Sequence, residues 1–201
     1  MLDCKRHLDL GCGLSPRNPY GANESFGCDI REIDSLDDLG FTYRKANLIE
    51  ESIPYEDDFF DSVSAFDFIE HIPRQSFTTS KGHCNPFIDL MNEIYRVLRP
   101  GGVFLAITPA YPNVSAFTDP THVNIITEHT HEYFCGTEPM GRVYGFTGKF
   151  EALTAKRETG SNVDPIDQPE FRKMMRRLHR RLFRGGLSHM LWELKKLKSY
   201  E

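Results

Sequence analysis

Apolar residues fall in short blocks along the first 110 positions, each bounded by glycine, proline or charge. Blocks at 5–10 (KRHLDL), 26–30 (FGCDI), 42–46, 62–66 (SVSAF) and 103–108 (VFLAIT) predict strands, and their apolar character predicts burial on both faces. Between the fourth and fifth blocks the period changes. Phe87, Ile88, Met91, Ile94, Tyr95 and Leu98 recur at helical spacing over Asn85 to Leu98, with Pro86 in the first turn and Pro100-Gly101-Gly102 past the end. Strand and helix signals in alternation predict an α/β domain whose sheet is built with parallel crossovers.

Beyond Thr108 the periodicity stops. Residues 109–148 carry Pro109, Pro112, Pro120, Pro139 and many aromatic residues, which predicts a lid or substrate loop with room for a short helix. Lys149 to Arg157 (KFEALTAKR) then predicts a further strand. Phe171, Met174, Met175, Leu178 and Leu182 form one amphipathic stripe, and Leu187, Met190, Leu191, Leu194 and Leu197 form a second, separated from it by Gly185-Gly186. The expected organisation is one domain over 1–158, a linker over 159–169 and an amphipathic helical tail over 170–201.

Charge sharpens this division. The net charge of −5 over 201 residues hides a tail with ten Lys/Arg against three Asp/Glu, so the tail carries +7 and the rest −12. A basic tail on an acidic domain predicts that the tail meets something the domain does not. Docking on the domain, a peripheral contact at the inner membrane face through a stripe bearing Leu191 and Trp192, and a nucleic-acid contact all suit it. Nucleic acid is less favoured, because the chain as a whole has a pI near 5.9. No apolar run approaches the ~20 residues that span a bilayer, and the N-terminus lacks the apolar core of a signal peptide, which predicts a cytoplasmic protein. The five cysteines are odd in number, scattered and without a CxxC pair, which argues against a disulfide framework.

Candidate chemistry begins at LDLGCG, Leu8 to Gly13. A small-residue turn after a buried strand lets the backbone pass close to a ligand while a following helix offers its N-terminus. Asp29 lies 18 positions after Gly11, at the end of the next predicted strand, where a carboxylate can hold the hydroxyls of a ribose. A dinucleotide fingerprint would need glycine in place of Pro16, and a P-loop would need Gly-Lys-Ser/Thr where Gly13 is followed by Leu14-Ser15. Both are disfavoured, while an adenosine-containing cofactor is not.

The segments LDLGCG, GCDI, ANL, FDSVSAFDFIEHIP and NEIYRVLRPGG resemble, in order, the successive motifs of class I S-adenosylmethionine-dependent methyltransferases, over roughly residues 5 to 135. The resemblance implies a Rossmann-like, mainly parallel sheet of about seven strands with a reversed edge strand, and S-adenosyl-L-methionine as cofactor. It implies that Gly11, Cys12 and Gly13 line the methionine moiety, that Asp29 takes the ribose, that Asn47 and Leu48 face the adenine, and that Asp9, Ile30 and Asp67 belong to the cofactor site. Two positions depart from the family pattern: Ser15 stands for the third glycine, and Asn47 for an acid. The amide oxygen of Asn47 still accepts from an adenine amino group.

Methyl transfer from a sulfonium needs an aligned nucleophile and, for a hydroxyl acceptor, a base. Glu70 and His71, after the fourth predicted strand, and His122 in DPTH are the candidates. The pattern Asp67-x-x-Glu70-His71 is similar to the ExxEH of ubiquinone-pathway and small-RNA O-methyltransferases, which implies a divalent ion such as Mg²⁺ on Asp67, Glu70, His71 and His122; the favoured alternative is that Glu70 and His71 hold loop structure or cofactor, with His122 near the acceptor as a base or orienting group. Zinc on His129, His131 and Cys135 is disfavoured, since their spacing matches no familiar site. The expected function is transfer of a methyl group to a small-molecule or glycan acceptor, at oxygen; an RNA methyltransferase and a non-catalytic cofactor-binding protein are the alternatives.

Overall fold

The computed structural model describes residues 5–33, 40–78, 82–159 and 187–198, with position 174. Seven strands form one sheet in the order β3-β2-β1-β4-β7-β9-β8. Strands β1 (Arg6–Leu10), β2 (Glu24–Asp29), β3 (Thr42–Lys45), β4 (Phe60–Phe66) and β7 (Leu98–Pro109) run parallel; β9 (His189–Lys196) lies antiparallel between β7 and β8 (Phe150–Glu158). The parallel strands change direction of progression between β1 and β4, the kind of switch point at whose carboxyl ends ligands bind in open α/β sheets. A separate hairpin pairs β5 (Ser76–Thr78) with β6 (Gly82–Cys84).

The predicted helix is α1 (Pro86–Val97), and it buries Phe87, Leu90, Met91, Ile94 and Tyr95 on the sheet. Each such side chain stabilises the fold by roughly 1.5–3 kcal/mol. From the exposed side Arg96 clamps the preceding loop, donating to the carbonyls of Ile53 and Tyr55 and pairing with Glu93 and Asp57.

Three expectations are corrected. No helix follows the LDLGCG turn: residues 11–23 form turns and extended chain. Pro16 and Pro19 would each remove a backbone donor and clash within a helix starting there. Among the described residues α1 is the one helix longer than four residues with α geometry, so the described connections of the sheet are mostly turns and loops rather than the helices of a doubly wound fold. The third predicted strand is present but is not buried on both faces; β3 is an edge, with Thr42, Arg44 and Lys45 exposed. The 109–148 segment, expected as a loop with room for a short helix, carries α2 (Ser115–Thr118) and 3₁₀ turns at Thr130–Phe134 and Met140–Tyr144.

The third correction is the largest. The second stripe of the expected helical tail is strand β9, in full register with β7 from Val103↔Lys195 to Pro109↔His189. Trp192, expected on a membrane-facing stripe, is fully buried in the core with Met190 and Leu194. Without β9, β7 would present a bare edge of unpaired backbone groups; insertion of β9 satisfies them, and that cooperative gain overrides the helix preference of Leu, Met, Glu and Lys. The first stripe and most of the linker lie outside the described residues. No described helix is long and apolar enough to cross a membrane.

Candidate active site

The turn after β1 is held by sterics and by one carboxylate. Gly11 and Gly13 both have positive φ, 66° and 57°, which favours glycine. A Cβ on Gly11 would lie 2.4 Å from the Phe68 ring, so the chain leaving β4 presses directly on this turn. The Cys12 side chain folds back over β2, where its Sγ occupies the space a Cβ on Gly27 would need, 2.5 Å away. Burial pushes the Cys12 thiol up to about 12, so it packs and does not react. Asp29, buried at the end of β2, accepts from Gly13 N at 2.8 Å and Arg31 N at 3.0 Å. The expected ribose acid is therefore also the group that fixes the glycine turn.

Beneath the turn lies a buried chain of polar groups contributed by β1 and β4. His7 Nδ1 meets Ser62 Oγ at 2.7 Å, His7 Nε2 meets Ser64 Oγ at 2.9 Å, and Ser64 donates to Asp9 Oδ1 at 2.5 Å. Since the Ser64 proton goes to Asp9, Ser64 accepts from His7 Nε2–H, and neutral His7 then accepts at Nδ1 from Ser62. Asp9 Oδ2 accepts from Arg17 N at 2.8 Å, tying down the loop beyond the turn. Asp9 thus supports the cofactor turn from inside the sheet.

The remaining expected cofactor residues divide. Ile30 is exposed (59%) beside Asp29. Asn47 accepts from Ile49 N at 3.2 Å in a local turn, while its own N–H donates to Glu51 at 2.6 Å. Leu48 buries its side chain in the core, so what it can offer an adenine is backbone. Asp67, at the end of β4 with φ of 48°, turns its Oδ1 to His189 Nε2 at 3.2 Å.

The catalytic candidates do converge. Glu70 is buried within a 3₁₀ turn, Ile69–His71; its Oε2 accepts from Thr108 at 2.8 Å, and its Oε1 is buried without a hydrogen-bond donor. His122 Nε2 stands 3.9 Å from that oxygen, and the His71 and His122 rings meet edge to face at 4.8 Å. Backbone N–H groups of Val123 and Asn124 donate to the Glu70 carbonyl, which brings the 109–148 segment onto the end of β4. Burial pushes the Glu70 carboxyl up to about 7, against the bond from Thr108 and with some repulsion from Asp67. Ligand atoms of Glu70, His71 and His122 lie within 4.8 Å of one another, and these three are the one such cluster among the described residues. Asp67 is not in it, and neither are His129, His131 and Cys135; His129 instead pairs with Glu132 at 2.9 Å.

His189 and Thr108 were missed in the sequence. Thr108 could have been found, as the last residue of a predicted strand at the carboxyl edge. His189 reaches this edge because β9 runs against its neighbours, and within a stripe read as helix it gave no signal.

Residues 8–106 match the family described as methyltransferase domain. No curated protein matches the chain. Among solved structures, it is similar to a chain of the complex between the Haloferax volcanii Trm112 methyltransferase activator and a methyltransferase, with TM-score 0.57, 16% identity, and coverage of 98% of this chain and 84% of that one. It is also similar to a SAM-dependent methyltransferase of Archaeoglobus fulgidus (TM-score 0.52, 18% identity, 96% and 86% covered) and to the [4+2]-cyclase SpnF (TM-score 0.57, 18% identity, 98% and 77% covered). At these identities the likeness is one of fold. Family match, strand order and glycine turn together place the chain in the class I S-adenosylmethionine-dependent methyltransferases.

Proposed function

We propose that the protein transfers the methyl group of S-adenosylmethionine to an oxygen of a small molecule or glycan. The observation that carries this reading is Glu70: a buried carboxyl titrating near neutrality, with one oxygen lacking a donor, two residues along the chain from the Phe68 that packs on Gly11. A base with such a pKa can take a hydroxyl proton as the oxygen attacks the methyl. His71 and His122 flank it and orient the acceptor. Gly11, Gly13 and Asp29 would hold the cofactor, whose sulfonium supplies the methyl.

The donor set also suits a divalent cation. His122 Nδ1 faces the Ala116 carbonyl at 3.3 Å, and His71 Nδ1 faces the Thr121 carbonyl at 3.3 Å and Oγ1 at 3.0 Å. Anchoring at Nδ1 leaves Nε2 as the lone-pair nitrogen of each ring, the arrangement that outer hydrogen bonds give to metal-binding histidines. One carboxylate and two imidazoles favour Mn²⁺, Fe²⁺ or Zn²⁺ over Mg²⁺. The run of seven Lys/Arg between 172 and 184 would supply a contact with an anionic surface, without help from the buried Trp192.

The test is radiolabelled methyl transfer from S-adenosylmethionine into fractionated small-molecule, glycan, lipid, RNA and protein extracts, with and without chelator. Label in the small-molecule or glycan fraction, lost in Glu70→Gln, supports the reading; label in RNA replaces it with an RNA acceptor. Cofactor binding with no label in any fraction points to a non-catalytic binding protein, and transfer indifferent to chelator removes the metal.

A further inference from the structure

A cavity of about 640 Å³ opens beside the Glu70 cluster, within the size range of small-molecule sites. Two chain segments connect it to the chemistry. The first leaves the cofactor turn at Phe68, passes Glu70 and His71, and reaches the cavity wall at Pro73 and Arg74. The second passes His122 and enters the wall at Val123. Along the first segment the titratable cluster therefore lies between the cofactor turn and the cavity wall, and along the second His122 directly precedes the wall residue Val123, the order that a methyl-transfer site requires of the space that holds the acceptor.

The walls select a chemistry. Phe87 and Phe134 meet edge to face at 5.5 Å, and Tyr133 and Tyr144 lie 6.5 Å apart at a 35° tilt, with Tyr144 more than half exposed. Rings arranged this way present edges and faces to a flat aromatic guest. Arg74 is the charged side chain in the lining. Its head is fixed by bonds to Asn124 Oδ1, at 2.8 Å, and to the Ile125 carbonyl, so it presents a held cation to a guest rather than a mobile one. Asn85 adds a neutral polar group.

Resting on the methyl-transfer reading, we infer that this cavity is the acceptor pocket and that it takes a flat aromatic molecule carrying an anionic group and a hydroxyl. The ring lies among Tyr133, Tyr144 and Phe87, the anion faces Arg74, and the hydroxyl points back toward Glu70.

The experiment is titration of the full chain with 4-hydroxybenzoate, benzyl alcohol and methyl glucoside, read by saturation-transfer NMR and calorimetry, with and without S-adenosylhomocysteine. The wild type should bind 4-hydroxybenzoate more tightly than benzyl alcohol, and methyl glucoside least. Tyr144→Ala, at an exposed position, should weaken 4-hydroxybenzoate at least tenfold. Arg74→Gln should remove the preference for 4-hydroxybenzoate over benzyl alcohol, and Arg74→Lys should restore part of it. Both variants should bind S-adenosylhomocysteine as the wild type does. Preference for the glucoside, or probe binding indifferent to both variants, overturns the inference. So does a Tyr144→Ala change in oligomeric mass that leaves probe binding intact, which would assign the face to contact between copies. Failure of the wild type to bind S-adenosylhomocysteine while 4-hydroxybenzoate still binds counts against methyl transfer and leaves the pocket standing.

Discussion

Asp9→Asn should make stability fall steeply with added acid over a range where the wild type stays nearly level. Burial pushes His7 from 6.5 down to about 4. Burial likewise pushes Asp9 from 3.8 up to about 6, against the opposing bonds from Ser64 and Arg17 N. Between about pH 4 and 6 the native pair therefore carries one proton, on the Asp9 carboxyl, while His7 is neutral. Unfolded, the pair also carries one proton, on the imidazole. Equal proton numbers in the two states mean no slope of stability with pH from this pair. Asn at position 9 keeps the volume and the acceptor for Ser64 but removes one titration. His7 alone then acts: the unfolded chain takes up a proton below 6.5 that the native chain refuses until about 4. Its contribution is fully present above pH 6.5 and is lost as pH falls toward 4, a change of about 3 kcal/mol over that window. That is a large part of the roughly 5–15 kcal/mol of a typical domain. Urea unfolding at pH 4 to 8, followed by fluorescence of Trp192, the single buried tryptophan, measures it. His7→Gln should show the mirror image, stability rising as pH falls from about 6 to 3.8. Equal pH slopes in the wild type and Asp9→Asn would refute the neutral pair.

Gly27→Ala should destabilise the fold by about 1–3 kcal/mol, because the new Cβ falls 2.5 Å from Cys12 Sγ; adding Cys12→Ala should recover most of that loss in the same urea titration. Trp192→Ala should cost about 3–5 kcal/mol by circular dichroism in urea, as expected for a core side chain; a change under about 0.5 kcal/mol would fit an exposed tail helix instead and contradict β9. Asp29→Ala should weaken S-adenosylhomocysteine at least tenfold in calorimetry, since it removes the anchor of Gly13 N and, on the proposed reading, the ribose acceptor. An unchanged dissociation constant would remove Asp29 from the cofactor site.

Local pattern was enough for the elements that depend on local pattern. The apolar blocks at 5–10, 26–30 and 62–66 became β1, β2 and β4, and the helix between Pro86 and Val97 follows from its period, its N-terminal proline and the Pro-Gly-Gly beyond it. The glycine turn and Asp29 were legible because backbone close to a ligand demands small residues at fixed offsets, and Glu70, His71 and His122 because few side chains can move a proton. The last segment was different. Leu187, Met190, Leu191, Leu194 and Leu197 fit a helix, and Met190, Trp192 and Leu194 fit a strand equally well, so periodicity alone left two answers. The open edge of β7 decided between them, and that edge exists only once the sheet has formed. The same choice carried His189 to Asp67, while the pairing of β1 with β4 joined His7 to Asp9 through Ser64, and packing set the cavity walls from segments some sixty residues apart, from Arg74 to Tyr133. Contacts of that span are fixed by packing and register, which a chain read one window at a time does not contain.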